Sequence, residues 1–270
     1  MDLSVRKSFG RAVSFLLHLA IAGTTISGVI LMQRAQLQRP SLSQETPQKA
    51  EQQESLRLAL MQKMPSFGFD NMVANWVFLN FLQYYGDDEA RQQTGYSLSP
   101  EFFEVITQRD PRFVEAYYHL SSSVSYELGK PERTLELMQR GMEKLLPKNN
   151  SRAFVVWRFA ALDQVLLLGD YPGAIRSFEM AAKLAGQTEE VKELEAIFQG
   201  SADFLKSNPD TRLVRFQAWS ILYEQAVRIG DKRTKERAVR EIIALGGIER
   251  EHEGRKVFVL PQAAQPEKAR

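Results

Sequence analysis

Apolar side chains recur every three to four positions through most of this chain, and no run holds a two-residue alternation. That period predicts an all-α protein. A short helix from about Glu51 carries Leu56, Leu60 and Met64 at helical spacing and ends at Pro65. The strongly apolar stretch Phe69 to Tyr85 closes at Gly86-Asp87-Asp88, and Gly95 to Ser97 is a loop. Ser99-Pro100-Glu101 is a helix start, serine as cap and proline in the first turn, and that helix runs to about Arg109, before Asp110-Pro111. Further helices are expected over Arg112–Leu128, Glu132–Leu146, Ser151–Leu168, Tyr171–Ala185, from the Thr188 cap to Ser207-Asn208-Pro209, Thr211–Ile229 and Lys232–Leu245. Glycine or proline punctuates nearly every boundary, as residues that cannot continue a helix should.

The front of the chain breaks this rhythm. Ala12 to Met32 contains no Asp, Glu, Lys or Arg. About 20 residues, at roughly 1.5 Å each, cross a hydrocarbon core, so Ala12–Met32 is expected as a transmembrane helix in contact with the lipid bilayer. Thr24, Thr25 and Ser27 are tolerable there, because a hydroxyl can bond the carbonyl one turn back. Arg6, Lys7 and Arg11 precede the run and Arg34 and Arg39 follow it. That bias puts residues 1–11 on the cytoplasmic side and the rest in the periplasm or a thylakoid-type lumen. A cleaved signal peptide stays open, with Ala20-Ile21-Ala22 before Gly23, although the apolar run continues to Met32. So does a buried soluble helix. Residues 33–53, rich in Gln, Pro, Ser and Glu, read as a flexible linker. Residues 54–247 then form the folded domain and residues 248–270 a mostly disordered tail, with one β-prone segment at Val257–Leu260.

Composition narrows the chemistry. A net charge of +2 over 270 residues gives no concentrated basic face, so no nucleic-acid partner is expected. The chain has no cysteine, which removes disulfides and thiolate sites, and its three histidines (His18, His119, His252) lie far apart. No metal and no cofactor are expected. There is no GxSxG elbow, no phosphate loop and no HExxH, so no catalytic residue is nominated. Asp87-Asp88-Glu89 lacks the alternating ligands of a calcium loop and reads as a solvated turn. The basic run Lys232–Arg237 reads as a solvated helix face rather than an anionic-lipid contact. Trp76, Phe78, Phe81, Tyr84 and Tyr85 cover nearly every face of one helix. That predicts a helix buried on all sides, the alternative being an aromatic hot spot for a partner.

Aligning the helix-breaking glycines shows a repeat. Gly129-Lys130, Gly169-Asp170 and Gly230-Asp231 each follow an aromatic-bearing helix and precede another of similar length. The first unit has Tyr117, Leu120 and Tyr126 before Gly129, and Gly141-Met142 after it. The second has Trp157, Ala161 and Val165 before Gly169, then Ala174, Phe178 and Ala181. The third has Trp219, Leu222 and Ala226 before Gly230, then Val239 and Ile242. An earlier unit holds Trp76, Leu79 and Leu82 before Gly86, and Phe103 and Ile106 after an insertion at residues 87–98.

Over roughly Gly68 to Gly247 these residues resemble the tetratricopeptide repeat (TPR) family, the second unit most closely, and the whole is similar to membrane-anchored bacterial and cyanobacterial members. The resemblance implies a TPR-like α-α solenoid, a binding scaffold without chemistry of its own. The first helix of each pair would line a concave partner-binding face, comprising His119, Ser123, Tyr126, Phe159, Asp163, Leu166, Ser220, Glu224 and Val227. The Lys and Asn residues with which some TPR domains grip C-terminal carboxylates are absent at these positions. The expected function is a membrane-anchored scaffold that assembles or stabilises a membrane protein complex, its partners the subunits of that complex. The alternative is a regulatory or substrate-presenting subunit of an envelope enzyme, binding peptide or glycan. An enzyme in its own right is the third possibility, with Asp163 and Glu224 as the residues to remove.

Overall fold

The computed structural model describes residues 17–18, 20–31, 33–34, 46–146, 150–252 and 255–261. The chain divides into two compact units, residues 1–50 and 51–270. In the first, residues 20–31 form a continuous helical run. Thr25 there donates to the Ile21 carbonyl at 2.7 Å, and Thr24 to that of Ala20. Among the described residues no helix is long and apolar enough to cross a membrane. This overturns the expected localisation, an anchor at residues 12–32 holding an exported domain. Residues 1–16, 19, 32 and 35–45, on which parts of that reading fall, lie outside the described residues.

The second unit is built from helices and one strand pair. Helix α1 (Pro47–Lys63) begins inside the expected linker. It is followed by α2 (Asp70–Gly86), a short α3 (Asp88–Thr94) within the insertion, and α4 (Ser99–Arg109). Ser99 is the first helical residue rather than the cap, and its hydroxyl is buried without a partner. Arg109, at the end of α4, donates to the carbonyl of Met61 (2.7 Å) and to that of Met64, and pairs with Asp70 at 3.1 Å. One guanidinium thus satisfies the orphan carbonyls at the end of α1 and ties α1, α2 and α4 together.

The repeat units follow. Helix α5 (Val114–Leu120) widens into a π-helical turn at Ser121–Tyr126, and α6 (Pro131–Lys144) returns. Helix α7 (Phe154–Asp163) likewise widens at Gln164–Leu168 before α8 (Tyr171–Gly186). Pro147, where the sequence ends α6, lies outside the described residues. Gly129, Gly169 and Gly230 all take left-handed φ, at 58°, 66° and 72°, a conformation glycine adopts without a Cβ penalty. Each turn is closed by a backbone bond from the next residue: Lys130 to Val124, Asp170 to Gln164 and Asp231 to Ala226. The first two reach one residue further back than the third, because their helices end in π turns. Gly141 lets α6 approach α5, since a Cβ there would stand 2.6 Å from the Tyr117 ring.

After α9 (Leu194–Lys206) the chain leaves this pattern. Helices α10 (Arg212–Ile229) and α11 (Lys232–Ala244) pair with each other, and α10 packs on the π turn at 164–168 and on α3 instead of along α9. Trp219 donates to the Leu167 carbonyl at 3.3 Å, and Thr234 to that of Leu128 at 2.9 Å. Arg237 donates to the Gly129 carbonyl at 2.8 Å. The third pair therefore sits across the turns of the first two units. Two cores result, one running from Leu58 to Leu205 and one joining Leu167 to Phe216, Trp219, Leu222, Ile242 and Leu245. Residues 248–252 and 255–259, in the tail expected to be mostly disordered, pair as antiparallel strands, β1 (Ile248–His252) with β2 (Arg255–Val259). Phe258 anchors them edge-on to Tyr223 at 5.0 Å.

Candidate functional site

The nine positions expected on a concave face do not form one open surface. Asp163 and Ser123 are fully buried. Asp163 Oδ1 accepts from Ser121 at 2.7 Å and Oδ2 from Ser125 at 2.5 Å, and Ser125 lies 2.8 Å from the Thr134 hydroxyl. Burial pushes the Asp163 carboxyl up to about 6, against the lowering effect of the two serines. This is a polar seam between α5, α6 and α7. His119 is half-buried beside Phe78 (5.6 Å) and Phe81, and burial lowers its affinity for a proton. Phe159 packs edge-on to Tyr118 at 5.8 Å. Tyr126 and Leu166 pack against the second core. Ser220 donates to the Phe216 carbonyl within its own helix. Glu224 and Val227 are exposed on α10. No row of open aromatics, such as a glycan would stack on, runs through these positions.

The charged motifs are used locally. Asp87 caps α3 by accepting from the Ala90 amide at 3.1 Å. Arg237, in the basic run, is not a free solvated cation; it pairs with Glu132 and lies 5.2 Å over the Trp219 ring. Among the described residues no group of three His, Asp or Glu side chains is placed to hold a metal ion.

Two open apolar surfaces stand out among the described residues of the second unit. The first is a groove of about 400 Å³ between α9 and α10, floored by Leu162, Val165, Phe178 and Leu205. Its origin lies in the chain path. In a stack of helix pairs each pair buries the apolar face of its neighbour. Here α10 turns away, so Ile197 (59% exposed) and Phe204 (61%) on α9 face open space, as do Leu213 and Val214 on α10. Between Ile197 and Phe204 the same face of α9 carries Gly200 and Ser201, and a Cβ on Gly200 would meet nothing within 4 Å. Two apolar residues seven apart with small residues between them leave a trough for a closely approaching backbone. None of these residues was nominated from sequence. The signal was the spacing Ile197, Gly200-Ser201, Phe204, which reads as ordinary core until α10 is known to leave.

The second surface is the outer face of α2. Ala74, Val77, Phe78 and Phe81 point inward. Phe69, Met72, Trp76 and Leu79 point the opposite way and are all more than half exposed. The expectation of a helix buried on every side fails for Trp76, which is 52% exposed. Arg57 lies over its ring, 5.8 Å from the centroid, and its charge is paired with Glu54. Ahead of α2, Phe67 is 85% exposed and holds φ at 51°, left-handed backbone that a bulky residue rarely adopts. Comparison with protein-family models and with curated proteins finds no match to this chain.

Proposed function

We propose that this chain is a protein-binding scaffold without chemistry of its own, a TPR-like stack of helix pairs that receives an amphipathic helix of a partner protein in the groove between α9 and α10. Its role is to assemble or stabilise the complex to which that partner belongs. The observation that carries this reading is the uncovered apolar face of α9. The Ile197–Gly200–Phe204 trough stands where the next helix of a stack would lie, and a partner's helix with residues at i, i+3, i+4 and i+7 fits such a trough. The glycine turns at 129, 169 and 230, the Gly141–Tyr117 contact and the buried Ala174, Phe178 and Ala181 support the repeat reading.

The test is site-specific photo-crosslinking in cells. A photoreactive side chain at Phe204 should give a protein adduct that the same group at Arg176, exposed on α8, does not. Gly200→Trp, which fills the trough from its floor, should abolish that adduct. An adduct that survives the filling, or none specific to Phe204, sinks the proposal.

A further inference from the structure

The outer face of α2 shares no residue with the α9 groove, and three of its properties point to one occupant. Phe69, Met72, Trp76 and Leu79 follow a three-four-three spacing, with Gln83 four residues on, the seam by which one helix packs along another. Asp70 is the only charged residue in α2, and it is held by Arg109 at 3.1 Å. Within α2 the residues flanking the seam are neutral: Asn71, Asn75, Asn80 and Gln83. A helix that lies on a lipid surface carries Lys or Arg beside its apolar face, and this one carries none. With Phe67, the exposed fractions of the seam residues and side-chain areas of about 150–250 Å² give roughly 600 Å² of open apolar surface per copy. That stands at the upper end of the roughly 300–600 Å² of a monomer's largest patch, and two copies reach about 1,200 Å², the lower edge of a standard interface.

We propose that two copies of this chain associate through α2, the helices crossing antiparallel about a two-fold axis level with Ala74. In that register Met72 of one copy faces Trp76 of the other, and Phe69 faces Leu79, so the surface is complementary to itself. The cation beside the seam, Arg57 over the Trp76 ring, brings its counter-charge with it in Glu54 at 3.3 Å. Phe67 at the start of one α2 then covers the far end of the other, near Leu82, which is 37% exposed. The left-handed backbone at Phe67 holds that ring out from its own core.

The experiment uses the full chain in sedimentation velocity across a hundredfold concentration range. A dimer that dissociates in the micromolar range is expected, and Met72→Glu should leave a monomer with unchanged helical circular dichroism. The chain has no cysteine, so Met72→Cys and Trp76→Cys each carry one thiol. Mixed and oxidised, they should form a disulfide-linked dimer several-fold faster than either alone, since the register places 72 against 76 and not against itself. A monomer at every concentration overturns the proposal. So does association that Met72→Glu leaves intact, or Met72→Cys linking to itself as fast as to Trp76→Cys. The thiol test stands even where the glutamate variant fails to fold.

Discussion

Ser125 donates a 2.5 Å hydrogen bond to Asp163 across the seam between the π turn that ends α5 and the last α-helical residue of α7, where Asp163 is fully buried. Ser121 donates to the other carboxylate oxygen at 2.7 Å. Two hydroxyls and no cation face this acid, which is why burial prevails and the carboxyl is raised from its ordinary 3.8 to about 6.

The sign of the resulting pH dependence follows. Below about pH 4 the folded and unfolded states both hold the proton, and the seam carries no buried charge. Above about pH 6 both states are ionised, and the folded state bears a cost on the order of 3 kcal/mol. The contribution of Asp163 to stability is therefore present at acid pH and lost as pH rises through its folded value. Asp163→Asn keeps the shape and removes the titration. Its unfolding free energy should gain on that of the parent chain by on the order of 2 kcal/mol between about pH 4.5 and 7.5. Urea midpoints of both proteins over that range measure it, and a constant difference would show that Asp163 does not titrate there.

Gly141 and Gly200 both lie inside helices and should respond oppositely to alanine. At Gly141 the new Cβ meets the Tyr117 ring at 2.6 Å and its hydroxyl at 2.7 Å. Tyr117 cannot retreat, being fully buried and bonded to the Pro111 carbonyl at 3.0 Å. Gly141→Ala should cost about 1–3 kcal/mol. Adding Tyr117→Leu should recover part of that cost, a coupling that a double-mutant cycle reads directly.

At Gly200 no atom stands within 4 Å of the new Cβ. Gly200→Ala should stabilise the chain by about 0.5–1 kcal/mol, the ordinary gain of alanine over glycine in a helix. A loss of stability in denaturant titration would mean that the trough is closed in solution.

Much of the helical layout was legible because it rests on local chemistry. The glycines that end α5, α7 and α10 were visible as breakers, and their left-handed φ is the reason they break. The small-aromatic-small pattern of Ala174, Phe178 and Ala181 was visible too, and all three residues are buried. Tertiary placement was not legible. Nothing local in Arg212–Ile229 says that α10 crosses the turns at 129 and 169 instead of following α9. The deciding contacts, Trp219 to Leu167 and Thr234 to Leu128, join residues 52 and 106 positions apart. The α9 groove was missed for the same reason. Of the residues expected on the concave face, Ser123 and Tyr126 lie in the π turn after Leu120 and Leu166 in the one after Asp163, where a period of 3.6 residues per turn no longer assigns the face. The strand pair was half-visible: Val257–Leu260 has β character, but the partner strand Ile248–His252 is mostly charged.

Trp219 is the residue on which the folded-back third pair depends. It is fully buried, its indole N–H reaches the Leu167 carbonyl at 3.3 Å, and Arg237 lies over its ring while pairing with Glu132 at the start of α6. The second core meets the first at Leu166 and Leu167 and at the Gly129 turn. Trp219→Ala should cost about 3–5 kcal/mol. Trp219→Phe, which keeps most of the volume and loses the hydrogen bond, should cost about 1–3 kcal/mol. Because the two cores are distinct, the loss should be uneven. In native-state hydrogen exchange of Trp219→Ala, amides in α10, α11 and the strand pair should open well before those in α4 to α8. Protection that fell equally throughout would mean that the two cores unfold as one unit, with the third pair an integral part of the stack.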